Sequence, residues 1–298
     1  MPLKFEGTIE LSDSEKTLFD HGAFDPKTRR VFVAHTARDR LEVIDHDRAV
    51  RLQTLAGFAH AAGVVADEGE VLVTNRGASS LSWVDAAELS TKAVFETAPR
   101  PNGVAIVARR MLGIAACIGD ESRGPELHAI ELQNGRRWSI QLSGRPRWCV
   151  TDGAGERVYL AIREPSMILV AKLPQLDPVQ HWPLPSSGAH GLDIDTEKEL
   201  LYAACDGAVL VQVDAKTGKV LAQWPLAGGP DATFFNPKSG LVHVAIGEPG
   251  VVQTIDPRSG ARSDFVTAAG AQTTALALPD RLYVFSPAHR GAIVLSGA

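Results

Sequence analysis

The chain has 298 residues, 45% of them hydrophobic and 22% charged, a balance that excludes collagen-like, mucin-like and wholly disordered classes. Thirty Lys and Arg against 35 Asp and Glu leave a formal charge of −5, so the clustered cations of a nucleic-acid binder are not expected. No apolar run approaches the ~18 residues of a membrane span, no signal-like apolar segment follows the first residues, and Cys117, Cys149 and Cys205 form no CxxC; the expectation is a cytoplasmic protein without membrane, disulfide framework or thiolate zinc.

Taken in order, β-type runs occupy residues 30–35, 70–75, 111–117, 157–162, 200–205, 241–246 and 282–286. Their closing residues recur every 40–45 positions, the period of propeller blades. Each run has an inner partner before it, such as 191–195, then a third run, such as 210–214, and a fourth that closes the unit. Turn formers separate them, as in Asp25-Pro-Lys-Thr, Asn236-Pro-Lys-Ser-Gly240 and Asp256-Pro-Arg-Ser-Gly260. The seventh copy stops after three runs, and the orphan β run at 3–11 supplies the missing fourth. The fold class expected is all-β: a single seven-bladed β-propeller of four-stranded blades, closed by pairing the N-terminal strand with the C-terminal blade. One domain spans 1–298, with blades at 20–58, 59–99, 100–144, 145–188, 189–228, 229–270, and 271–298 plus 1–15. Trp138, Trp182 and Trp224 recur at one position and are expected to pack between blades or under the outer strand. Trp148 departs from that period and is the tryptophan expected at the pore.

Val71-Leu-Val-Thr-Asn75, followed by Leu81-Ser-Trp-Val-Asp85, resembles the YVTN-type propeller repeat, whose second strand ends in Thr-Asn and whose third ends in Val-Ile-Asp. Leu41-Glu-Val-Ile-Asp45 and Val211-Gln-Val-Asp214-Ala-Lys-Thr-Gly218 look like further copies. The resemblance spans the chain and implies the fold. The similar NHL and SMP-30/gluconolactonase-like propellers include lactone hydrolases, lyases and binding scaffolds. Only one copy here keeps Thr-Asn, the gluconolactonase ligand set is not matched residue by residue, and the WD40 signature is missing.

Side chains converge on a propeller axis where the inner strands begin. Aligning the inner runs on Asp67, Val107, Asp152, Asp195 and Asn236 places Ala62, Asn102, Arg147, His190 and Asp231 at one equivalent mouth position. The first blade offers Asp20 or His21 there, and the seventh Thr273 or Thr274. Loops after the second strands add His35, Asn75, Arg76, Asp120, Glu121, Arg163, Glu164, Asp206, Glu248 and His289. His190 and Glu248 are expected to act as the catalytic pair, the imidazole moving a proton while the carboxylate orients it or binds a metal. Asn75, Arg147, Trp148 and Arg163 are expected to hold substrate. His21, Asn102, His190 and Asp231 form a mixed N/O set suited to Mg²⁺, Mn²⁺, Zn²⁺ or Ca²⁺. The insertion at 120–128 is a candidate flap. With no GxSxG, GxGxxG, P-loop, HExxH or CxxCH, no serine-elbow, nucleotide or haem chemistry is indicated. The expected function is a metal-assisted hydrolase (lactonase-like) or lyase acting on a small polar or anionic molecule. The alternative is a non-catalytic scaffold presenting an exposed apolar face to a protein partner.

Overall fold

The computed structural model describes residues 2–12, 17–177 and 179–298, so Met1 and residues 13–15 of the segment assigned to the last blade lie outside the described residues. Among the described residues, seven four-stranded antiparallel sheets follow one another in chain order, each running from an inner to an outer strand. This is the expected seven-bladed β-propeller. Five of the seven second strands begin and end where the sequence puts them, for example Arg30–His35 and Arg157–Ile162.

Successive side chains of a strand point to opposite faces, and in a propeller those faces meet two different neighbours. The apolar residues therefore gather between blades rather than within them. One cluster joins the first two blades through Phe32, Val43, Val64 and Val73. Others join the third to the fourth, the fourth to the fifth and the fifth to the sixth. Second strands are buried on both faces and read as apolar runs, as in Leu241–Ile246. Outer strands alternate, as in Val220–Pro225. Trp138, Trp182 and Trp224 pack on three separate inter-blade clusters, as their period indicates.

The ring closes where the chain's two ends meet. The strand Lys4–Glu10 pairs antiparallel with Gly291–Ser296 and becomes the outer strand of the seventh blade. The amides of Leu11 and Ser12 both donate to Arg290 O at 3.0 Å. The Asn236 side-chain amide reaches across from the sixth blade to Ala298 O (2.8 Å) and Pro279 O (2.7 Å).

Gly291 makes the closure possible. A Cβ there would stand 1.9 Å from Ile9 O, whereas one at Gly7 of the same pair would meet nothing within 4 Å. Replacing Gly291 by Ala is expected to cost about 1–3 kcal/mol, or about 2–8 °C in Tm, because backbone must shift. Gly7→Ala should leave Tm nearly unchanged, and thermal unfolding of the two variants side by side checks both.

Candidate active site at the channel mouth

Inner strands turn their side chains toward neighbouring blades, so a residue reaches the axis only where that alternation breaks. It breaks at one place in five blades. The register between inner and second strands slips between Ala61 and Val64, Pro101 and Gly103, Pro146 and Cys149, Ala189 and Gly191, and Pro230 and Thr233. The residues at these bulges include Asn102, Arg147, His190 and Asp231, and such irregularities re-aim side chains. In the first blade Asp20 N donates to Ala34 O while Ala34 N donates to His21 O, so two residues again face one.

Glycine follows the mouth residue in the second, third and fifth blades. A Cβ at Gly63, Gly103 or Gly191 would fall 2.2, 2.1 or 2.4 Å from the carbonyl of Asn102, Arg147 or Asp231 respectively. Each glycine thus seats the next blade's functional residue. The fourth blade has Trp148 at that place.

His21, Asn102, Arg147, Trp148, His190 and Asp231 line one cavity of ≈240 Å³, together with Asp20, Arg76, Arg100, Arg145 and Gln272. Below it lies a second space of ≈320 Å³ walled by all seven inner strands. Trp148 borders both. Its indole stacks on the His21 ring, with centroids 3.9 Å apart and planes within 4°. This pair is the floor of the mouth.

Three expected residues are not among those lining the cavity. Asn75 is buried in its own blade, donating to Ser80 Oγ and Ser82 Oγ at 3.1 and 2.8 Å. Its neighbour Thr74 bridges Gly63 N and Asn102 O, so the Thr-Asn pair braces the bulge. Glu248 is exposed, and the pairing expected with His190 is replaced by another. His190 Nδ1 lies 2.8 Å from Asp206 Oδ1, and its Nε2 lies 3.4 Å from Asp231 Oδ1. Arg163 stands one step back, its Nε donating to Asp206 Oδ2 at 2.6 Å. The seventh blade contributes Gln272 rather than Thr273 or Thr274, which are buried. Residues of the 120–128 insertion do not line the cavity, and Asp120 Oδ1 accepts from the amides of Ser122 and Arg123 within it.

Two arginines were missed. Arg100 and Arg145 each stand two residues before a mouth residue, in Arg100-Pro101-Asn102 and Arg145-Pro146-Arg147. The repeated Arg-Pro at one blade position was the available signal. With Arg76 and Arg147, four guanidinium groups line the cavity against the carboxylates of Asp20 and Asp231, in a chain whose net charge is −5.

Burial pushes the Asp206 carboxyl up, but the His190 and Arg163 hydrogen bonds outweigh it and hold it at about 2. At Asp20, burial is likewise outweighed by the hydrogen bond and charge of His21 and by Arg76, leaving it well below the usual carboxylate range. Asp231 goes the other way: burial raises it, against the charges of His21, His190 and Arg147. Burial and the charge of Arg145 lower Arg147 from its ordinary value. The Nε atoms of Arg76 and Arg147 are buried without a hydrogen-bond partner. Buried donors left unpaired are costly, and an anion in the cavity would satisfy them.

The side chains expected as metal ligands are partly engaged by neighbours. His21 Nδ1 is engaged by Asp20 at 2.6 Å, His190 Nδ1 by Asp206, and Asn102 Oδ1 by the Arg76 guanidinium. Among the described residues no three His, Cys, Asp or Glu side chains are grouped to hold a metal. Four guanidinium groups favour an anion at the mouth.

A larger cleft of ≈570 Å³ opens at the opposite rim, lined by Lys27, Asp67, Glu68, Arg109 and Asp152 among others. Among the described residues no His or Cys lines it, and its charges are mixed and mostly acidic. Convergence of proton-transfer groups, not size, marks the mouth.

No family model and no curated protein matches the chain. Solved structures do. Kuenenia stuttgartiensis hydrazine synthase is similar over 96% of this chain and 97% of its own, with a TM-score of 0.82 and 14% identity. A streptogramin B lyase structure is similar over 98% and 97%, with a TM-score of 0.80 and 10% identity. The chain is a β-propeller. At these identities the likeness shows the fold, and the function has to come from the site. No helix among the described residues is long and apolar enough to cross a membrane.

The channel beneath the floor holds Asp193, whose carboxylate accepts from Ile194 N (2.9 Å) and Phe235 N (2.7 Å). Burial raises it to about 7, more than those two hydrogen bonds lower it. A carboxyl raised in the folded state stabilises least when ionised, so its contribution falls as pH rises from about 4 to about 7. The wild type should therefore lose stability relative to Asp193→Asn on going from pH 5 to pH 8, by at most about 1.4 kcal/mol per pH unit. Parallel Tm curves for the two proteins would contradict this.

Proposed function

We propose that this propeller is an enzyme of the hydrolase or lyase class, acting at the mouth on a small anionic carbonyl compound with His190 as general base. The arrangement of His190 carries the reading. The ionised Asp206 carboxylate only accepts hydrogen bonds, so it holds the proton of His190 on Nδ1 and leaves Nε2 to take one from a bound molecule. Arg163 fixes Asp206, and burial limits the positions the ring can adopt. Arg147 and Arg145 supply the charge that holds an anion.

Among the described residues no Ser, Thr, Cys or Tyr lines the cavity, which favours direct proton abstraction or base-activated water over a covalent intermediate. The volume suits a molecule smaller than the occupants of the ~300–1,000 Å³ pockets that take drug-sized ligands. The name of one structural neighbour, a lyase, agrees with this chemistry. The scaffold alternative gains nothing from the surface. Phe5, Val50, Leu52, Val94, Leu221 and Val266 are exposed on the outer strands of five different blades.

The reaction proposed needs no metal ion. Protein purified without a tag or chelator should hold well under one equivalent of divalent metal by plasma mass spectrometry, and near one equivalent would overturn this part of the reading. A panel of lactones, esters and β-substituted carboxylates should reveal turnover. On any substrate found, His190→Gln is expected to reduce kcat about 10²–10⁴-fold. Arg147→Met should act mainly through a higher KM. Full turnover by His190→Gln would remove the assigned base.

A further inference from the structure

The relay on His190 has a counterpart that this function leaves unused. Arg76 Nη2 donates to Asp20 Oδ2 at 3.0 Å, and Asp20 Oδ1 lies 2.6 Å from His21 Nδ1. The order Arg, Asp, His repeats that of Arg163, Asp206 and His190, where the contacts are 2.6 and 2.8 Å. The two histidines stand at inner-strand starts and the two arginines directly follow second strands, equivalent places in the repeat, so the relays differ in where the carboxylate comes from. Asp20 and His21 precede the inner strand of the first blade, Arg76 follows the second strand of the second, and Asp206 follows the second strand of the fifth. In both, the carboxylate keeps the ring proton on Nδ1, and Nε2 becomes the working nitrogen. Both rings line the same cavity as Asp231. The His21 ring lies flat on Trp148, which fixes the plane in which its Nε2 faces the cavity.

We propose that His21 and His190 are an acid–base pair for β-elimination, and that the substrate is a small carboxylate bearing an oxygen leaving group on its β carbon. This rests on the reading of the mouth as a His190 site. Arg147, with its unpartnered Nε, receives the carboxylate with Arg145 beside it. His190 Nε2 takes the proton from the α carbon. The electron pair of that C–H bond becomes the α,β double bond as the β C–O bond breaks, and His21 Nε2–H protonates the departing oxygen. Charge that accumulates on the carboxylate as the proton leaves is met by the guanidinium groups. His190 ends protonated and His21 neutral. Asp231, 3.4 Å from His190 Nε2, returns the proton toward His21, so no oxidant, reductant or nucleophile is consumed.

Two measurements test this. In the first, the intact protein is treated with diethyl pyrocarbonate and mapped by peptide mass spectrometry, with and without saturating succinate. Succinate should slow labelling of His21 and His190 together and leave the exposed His181 unaffected. Protection of His190 without His21 overturns the pairing while the proposed function stands; protection of neither overturns both.

The second compares leaving groups, since 4-nitrophenolate departs without a proton and methoxide does not. On 3-methoxypropanoate, His21→Gln is expected to lose about 100-fold or more in kcat, against less than about fivefold on 3-(4-nitrophenoxy)propanoate. His190→Gln should lose both. Equal losses for His21→Gln on the two compounds would assign His21 a structural role. No elimination by the wild type from either would overturn the reaction, and turnover of a lactone by the same preparation would then leave the hydrolase reading in place.

Discussion

Everything at the mouth depends on a hydrogen-bonded seam between the two ends of the chain. No blade has a core of its own; the apolar clusters lie between blades, so each is complete only if both neighbours are present. A ring missing one interface would leave two such faces open to water. The pairing of Lys4–Glu10 with Gly291–Ser296 prevents this, and the cluster it protects includes Ile9, Leu11, Phe24 and Phe285. The same cluster seats the first blade against the seventh. Asp20 and His21 enter the mouth from that first blade, so closure of the ring also determines where one half of the site stands.

Once the ring is closed, the site follows from a local defect repeated around the axis. A regular inner strand would direct Asn102, Arg147, His190 and Asp231 into the inter-blade cores, where a charged group costs several kcal/mol. The bulges turn them to the channel, and the glycine after Asn102 and after His190 admits the neighbouring carbonyl. Trp148, standing where other blades have glycine, converts an open tube into a cup with a floor. Fold stability and site geometry are thus served by the same backbone irregularity.

The electrostatics of that cup run against those of the whole molecule. A chain of net charge −5 concentrates guanidinium groups at one mouth and ties two of its carboxylates there to arginine and histidine. Asp20 and Asp206 are thereby kept ionised, while Asp231, with no guanidinium bonded to it, is held above its ordinary value. Neighbouring carboxyl groups with opposed shifts are the arrangement that proton transfer calls for.

The period of 40–45 residues, the four runs per unit and the unpaired run at 3–11 were enough to establish the propeller and its closure, because strand periodicity and turn chemistry are local properties. Aligning the repeats also located Asn102, Arg147, His190 and Asp231, since equivalent positions in a repeat occupy equivalent places in the ring. What the repeat could not say was which groups bond to which. Asn75 and Glu248 looked equivalent to Arg76 and Asp206 as loop residues, yet one is consumed by serines in its own blade and the other faces solvent. His21 meets Trp148 although two whole blades lie between them in the chain, and Asp206 rather than Glu248 takes His190. Those partnerships are decided by side chains arriving from different blades at a common axis, and only the closed ring brings them within hydrogen-bonding distance.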